Sequence, residues 1–210
     1  MATVTAFDKI NRIERRRQYH EWFDAMRIPE EDKRKRERLA EDIDDEWAIY
    51  LALFLFALES GQPINMGRAA DEHEERMRDI LREHDIPENV IEDYLRDVAD
   101  GEEEVTEERY DEGDYWTSPD RALDIALNDT NIVYHHTENQ QAIADGKTMK
   151  QWLTMKDELV RPTHAAVDDT ILPINEPFVV GGSLMMYPLD TSLGADIGEI
   201  ARCRCSCRYF

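Results

Sequence analysis

The sequence predicts an α+β chain, with an extended helical N-terminal region followed by a small mixed α/β C-terminal domain of short strands and long loops. Apolar residues recur at helical spacing through the first two-thirds. After Lys147, Pro162, Pro173, Pro177, Gly181-Gly182 and Pro188 divide the chain into short apolar pieces. Between these textures, residues 100–115 hold nine acidic residues, two glycines and one arginine. That run is expected to be a mobile linker, or else a solvated acidic loop inside one domain. The expected organisation is a helical arm over 1–100, an acidic linker over 101–116 and a compact module over 117–210.

The first helix is expected over Phe7–Met26, with the run Arg15–Arg17 interrupting its apolar stripe, and Pro29 breaks or restarts the pattern. The second carries Leu39, Ile43, Trp47, Tyr50, Leu51, Phe54, Leu55 and Leu58, with Gly61 and Pro63 as stop signals. From Ala48 it is apolar nearly all round, so burial of its C-terminal half is expected. Asn65 is a candidate cap for a third helix bearing Met66, Ala69, His73, Met77 and Leu81. Pro87 opens a short fourth helix with Val90, Ile91, Tyr94 and Leu95. Ser118-Pro119 starts a long helix running towards Asp145, with Gly146 suited to its end. Short strands are expected at Lys150–Thr154, Phe178–Val180 and Leu184–Tyr187, with a last one near Arg202–Tyr209. Gly181-Gly182 reads as a turn.

The 210 residues carry a formal net charge of -22, unevenly spread. Residues 1–38 sum to +3, residues 39–115 to -20 and the remainder to -5. Phosphate binding needs a clustered positive footprint, so direct nucleic-acid binding is not expected. An acidic middle suits a basic protein surface instead. The longest apolar run, Trp47–Leu58, is short of the roughly 20 residues that span a bilayer. The N-terminus lacks a signal-peptide layout, and a soluble protein without a membrane partner is expected.

In the long helix, Asp129 and His136 share the apolar stripe two turns apart. A carboxylate there is costly unless paired. It either forms a polar site with the C-terminal loops or locks a loop backbone by accepting its hydrogen bonds. His135 and His136 diverge by about 100° in a helix and are expected to be ordinary, partly exposed histidines. Cys203, Cys205 and Cys207 cannot make a disulfide framework. In an extended strand the thiols share one face, so two neighbours can converge on zinc but three cannot without a bend. His164 is the best further ligand, with Asp168 or Asp169 behind it. The tentative metal set is therefore His164, Cys203 and Cys205, and small buried thiols are the alternative. No G-x-S-x-G, P-loop, dinucleotide fingerprint or H-E-x-x-H is present, so no catalytic residue is assigned.

The ordered combination of Lys150-Gln151-Trp152-Leu153-Thr154, Arg161-Pro162-Thr163-His164, Glu176-Pro177-Phe178, Gly182, Pro188 and Glu199 through Cys203-Arg204-Cys205 resembles the phage Mu F-like head-morphogenesis family. The resemblance spans about Pro119–Tyr209. It implies structural roles for Asp129, Trp152, Arg161, His164, Phe178, Pro188, Cys203, Arg204 and Cys205. It also implies a minor head protein of a tailed phage that binds portal, capsid or scaffold proteins, located in the virion and, during assembly, in the host cytoplasm. A non-enzymatic assembly role follows. The alternative is an effector enzyme, a toxin-like transferase or zinc hydrolase, carried on a head domain. Three departures stand out. Asp129 replaces the family's glutamate, and Arg202 replaces the asparagine before the first cysteine. The C-x-x-C pair that many members place in the Arg161–His164 loop, completing a zinc site, is missing.

Overall fold

The computed structural model describes residues 2–60 and 66–210, and the side chains of 1–12, 61–66 and 100 lie outside the description. The Phe7 and Ile10 side chains, the Asn65 cap and the Gly61 and Pro63 stop signals therefore fall outside the described residues. Helix α1 (Ala2–Asp24) runs through the arginine run without a break. Arginine is a good helix former, and the run is accommodated by turning Arg15 inward to Asp44 while Arg16 pairs with Glu41 at the surface. Such exposed pairs contribute at most about 1 kcal/mol each. What holds α1 is its apolar side, where Tyr19 and Phe23 pack with Ala40, Leu123 and Leu127.

Helix α2 (Glu30–Ser60) restarts directly after Pro29, with Glu30, Glu31 and Asp32 favourably placed at its positive end. Its Leu39, Ile43, Trp47, Tyr50 and Leu51 are buried. The opposite stripe is not, contrary to the expected burial of this half: Ile49 and Phe56 are 52% and 57% exposed. Helix α3 (Met66–Glu83) lies against α2, and helix α4 (Glu88–Tyr94) packs against α3 and the later helix of residues 119–144, continuing as a π-helical turn, Leu95–Ala99.

Residues 101–116, expected as an irregular acidic linker, instead form most of helix α5 (Asp100–Arg109) and two 3-10 turns, Tyr110–Glu112 and Asp114–Thr117. Composition misleads here because glutamate favours helix and one anchored face suffices. Thr106 is buried, Glu102 pairs with Arg121, Tyr110 packs on Phe54, and Arg109 and Arg121 flank the Trp116 ring.

Helix α6 (Pro119–Ala144) begins as expected, with the Ser118 hydroxyl accepting the Arg121 N–H at 3.3 Å and proline in the first turn. Ala122, Ile125, Ala126 and Val133 complete the core formed by α2, α3 and α4. That core crosses position 117, where the compact module was expected to begin. The C-terminal part has β1 (Met149–Leu153) between β2 (Ile171–Pro173) and β5 (Ser206–Tyr209), both antiparallel to it, with Trp152 opposite Cys207. A separate hairpin joins β3 (Phe178–Val180) to β4 (Ser183–Met185). Its turn is Gly181-Gly182, with φ of +60° and +92°, the backbone that a tight two-residue hairpin requires. Trp152, Phe178, Val180, Met185 and Leu189 form the small core, and Ile132 of α6 packs against it. One-turn helices α7 (Pro162–Ala165) and α8 (Ile197–Ile200) complete the module.

Buried polar groups line α6. Arg36 of α2 is fully buried, donating to Asn131 at 2.9 Å and Glu138 at 2.6 Å, with Tyr134 stacked on its guanidinium. Asp129 serves neither of the roles expected for it, because its partner lies on the helical side. The Tyr94 hydroxyl donates to one carboxylate oxygen at 2.6 Å, and the other oxygen has no partner among the described residues. Burial, reinforced by the charge of Glu102, holds its pKa well above 3.8, despite Tyr94 and Arg121 acting the other way. A folded-state pKa raised above the unfolded value stabilises below the unfolded pKa and loses that contribution as pH rises through the folded one. Asp129→Asn should therefore gain stability relative to the parent as pH is raised from 5 to 8. Urea denaturation across that range would refute this if the difference between the two proteins stayed constant.

Candidate metal centre

Cys203 and Cys205 converge on His164, and Cys207 does not join them. The Nδ1 of His164 lies 3.4 Å from the Cys205 sulfur and 3.5 Å from that of Cys203, and all three donor atoms lie within 4.8 Å of one another. Each of the three residues is buried. A tetrahedral zinc ion with Zn–S of about 2.3 Å and Zn–N of about 2.05 Å separates nitrogen from sulfur by about 3.6 Å. The distances here suit that arrangement, and His164, Cys203 and Cys205 are the residues that can hold such an ion. A cleft of about 20 Å³ opens beside the cluster between Met155, Leu159, Arg161 and Arg204. It has room for about one water.

Local backbone makes the convergence possible. Arg202 adopts φ +56°, which turns the chain immediately before Cys203. Asparagine tolerates that left-handed region far better than arginine, so arginine here is a strained choice. The turn is held from α6 by Asn128, whose side-chain oxygen accepts the Arg202 N–H at 2.9 Å. His135, fully buried rather than partly exposed as expected, donates its Nε2–H to the Cys205 carbonyl at 3.0 Å. Arg161 donates to the Ala201 carbonyl, and Arg204 grips both oxygens of Asp157 at 3.0 and 2.8 Å. Trp152 sets its ring edge-on to His164 at 5.8 Å and to Phe178 at 5.2 Å. Pro188 stands elsewhere, at the second position of the turn Tyr187–Asp190, where Leu189 takes φ +64°.

The carboxylate behind His164 is Glu199, not Asp168 or Asp169. Its Oε2 lies 3.0 Å from Nε2 and also accepts the Thr163 hydroxyl at 2.7 Å. Asp168 instead accepts the Thr154 N–H at 2.7 Å, and Asp169 pairs with Lys156 at 2.6 Å. An acceptor at Nε2 fixes the proton there and leaves Nδ1 free to face the sulfurs, the arrangement that orients a metal-binding imidazole. Without metal, the Cys203 thiol is depressed well below its usual range by the hydrogen bond from Cys205 and by His164, against burial. Cys205 is pushed up by that same bond and by burial. For His164 burial opposes charging, but the bond and charge of Cys203 outweigh it and raise the pKa.

Glu199, Asn128 and His135 were not assigned these roles from sequence. The one available signal was that Glu199 stands just upstream of the cysteines in the shared motif. Its place depends on Gly181, where a Cβ would fall 2.0 Å from the Glu199 Oε1.

The architecture is a helical platform carrying a small α+β module closed by a Cys/His cluster. The chain belongs to the phage Mu protein F-like family, whose model matches residues 62–208, more than two-thirds of the sequence. This is a family of phage head-morphogenesis proteins. The match begins well before Pro119, so it takes in α3, α4 and α5 as well as the motif-bearing module. No curated protein and no solved structure gives a significant match.

Gly181→Ala should lower unfolding free energy by about 1–2 kcal/mol from backbone strain alone, plus the displacement of Glu199. In a double-mutant cycle with Glu199→Ala the two losses should be non-additive. Strict additivity would mean that the turn does not make room for the carboxylate.

Proposed function

We propose that this chain is a minor head protein that acts in assembling the phage head by binding its portal or capsid proteins, and that its Cys/His cluster holds a structural zinc ion. The family match over residues 62–208 carries the first part. The acidic helical region supports a basic docking partner, and the protein is read as working in the virion. Among the described residues no helix is long and apolar enough to cross a membrane. Bound zinc would tie α7 to the C-terminal tail, and His164, Cys203 and Cys205 leave its fourth position to a water in the adjoining cleft.

One observation favours a second, enzymatic reading. Cys203, His164 and Glu199 stand in the order of a nucleophile, its base and an orienting carboxylate. Two features weigh against it. Both sulfurs share one imidazole nitrogen, and a cleft of about 20 Å³ admits a water but no substrate. A structural cluster accounts for both.

Full-length protein purified without chelator should contain about one zinc per chain, as a single three-ligand cluster implies, and Cys205→Ser should remove it and lower Tm. Metal-free protein whose Cys203 is rapidly and singly alkylated would favour the enzymatic reading. Co-expressed with the portal of its own phage, the full chain should copurify with it. Separate elution of the two would count against the portal as partner.

A further inference from the structure

A second site lies away from the cysteines, where the helical platform meets the C-terminal module. A groove of about 330 Å³ is bounded by α4 and its π-helical turn, by α6 and by the loop 186–192. That volume is at the lower end of small-ligand pockets, about 300–1,000 Å³. The π turn is itself informative, since the extra residue costs helical regularity and such turns recur at functional sites.

We propose that this groove binds a lysine or arginine side chain presented by a partner peptide. One wall is aromatic, with the Tyr187 ring stacked on His136 at 5.8 Å and 20°. A relay of side-chain amides orients this imidazole. Asn89 donates to the Gln140 oxygen at 2.8 Å, so the Gln140 amide donates to His136 Nε2 at 2.8 Å. His136 lines the groove, and its Nδ1 has no partner among the described residues.

Carboxylates outnumber cations around the groove. Asp93 and Asp97 stand half-exposed at the rim with Arg96 bridging them at 2.7 and 2.8 Å. Asp190 is buried in the loop, its oxygens accepting the Met186 and Ser192 N–H groups at 2.7 and 2.9 Å. Lys150, behind the loop, is spent on the Met186 carbonyl at 2.6 Å. Even counting Lys150 in full, three carboxylates face two cations, and one more cation restores neutrality. Apolar Val90, Ile132 and Leu189 line the groove and suit the aliphatic stem of a long basic side chain. The Tyr187 face suits its charged head. A free amino acid would bring its own carboxylate against the rim acids, whereas a peptide-borne side chain would not. The same charges disfavour nucleotides and other anions. This inference stands apart from the head-assembly reading, since it requires only a basic segment.

The test is calorimetric titration of the full chain with acetyl-Gly-Arg-Gly-amide, its lysine counterpart and its citrulline counterpart. At least one basic peptide should bind saturably, and the neutral citrulline peptide about tenfold more weakly or not at all. Asp93→Asn/Asp97→Asn, at the exposed rim, should weaken binding about tenfold with little change in Tm. Glu104→Gln/Glu107→Gln, acidic but outside the groove, should leave it unchanged. Absence of saturable binding, equal binding of citrulline, an unaffected rim variant, or equal loss in the α5 variant would each overturn the proposal. The last would mean diffuse attraction to an acidic surface.

Discussion

Helix α6 is apolar on three sides, and each apolar cluster of the molecule is closed by a different part of it. Ala122, Ile125, Ala126 and Val133 face α2, α3 and α4, while Leu123 and Leu127 face α1, and Ile132 faces the strands. A helix so placed has little solvent face along its middle turns, and Asp129, Asn131, His135 and Asn139 are buried there. Each such group costs free energy unless it finds a partner. Arg36 partners Asn131 and Tyr94 partners Asp129 on the helical side, while His135 reaches the Cys205 carbonyl and so connects the helical platform to the C-terminal module.

Arg36, Glu138 and His135 show how that connection works. Arg36 from α2 binds Glu138, whose pKa is lowered by Arg36 and His135 against the effect of burial. Burial and the charge of Arg36 lower the His135 pKa, so its single N–H, on Nε2, goes to the Cys205 carbonyl, while Glu138 lies 3.3 Å from the unprotonated Nδ1. Removing one partner from a buried charged pair typically costs about 3–5 kcal/mol. That exceeds anything the exposed ion pairs of α1 or α3 can contribute. Arg36, more than 160 positions upstream of the cysteine tail, thus anchors Glu138 and helps keep neutral the imidazole that holds the Cys205 carbonyl.

The family match beginning at residue 62 is consistent with this packing. The C-terminal module has only a small core of its own, built around Trp152 and Phe178, and it rests on Ile132. The motif residues do not act as one site. Trp152, His164, Cys203 and Cys205 meet, Phe178 packs behind Trp152, Arg161 and Arg204 brace the tail, and Pro188 shapes a turn. Asp129 belongs to the helical core instead.

Much of the fold was legible locally. Proline and serine signals marked the starts of α2 and α6, apolar spacing identified α2 and α3, and Gly181-Gly182 marked a turn, since glycine readily takes both left-handed positions. The C-x-C spacing, with His164 upstream, was enough to nominate a three-residue cluster. Other features had no local signal. The acidic stretch at 101–116 is helical because α2 and α6 give it one face to dock on, which its composition does not reveal. Glu199 rather than Asp168 backs His164 because strand pairing and the Gly181 turn bring α8 to α7, while Asp168 is taken by the Thr154 backbone. His135 is buried because the tail folds over α6. The sequence by itself determined where helices and turns begin and which residues have the chemistry to cluster. Tertiary structure decided which of them meet, because side-chain partners are set by long-range packing that residue spacing does not encode.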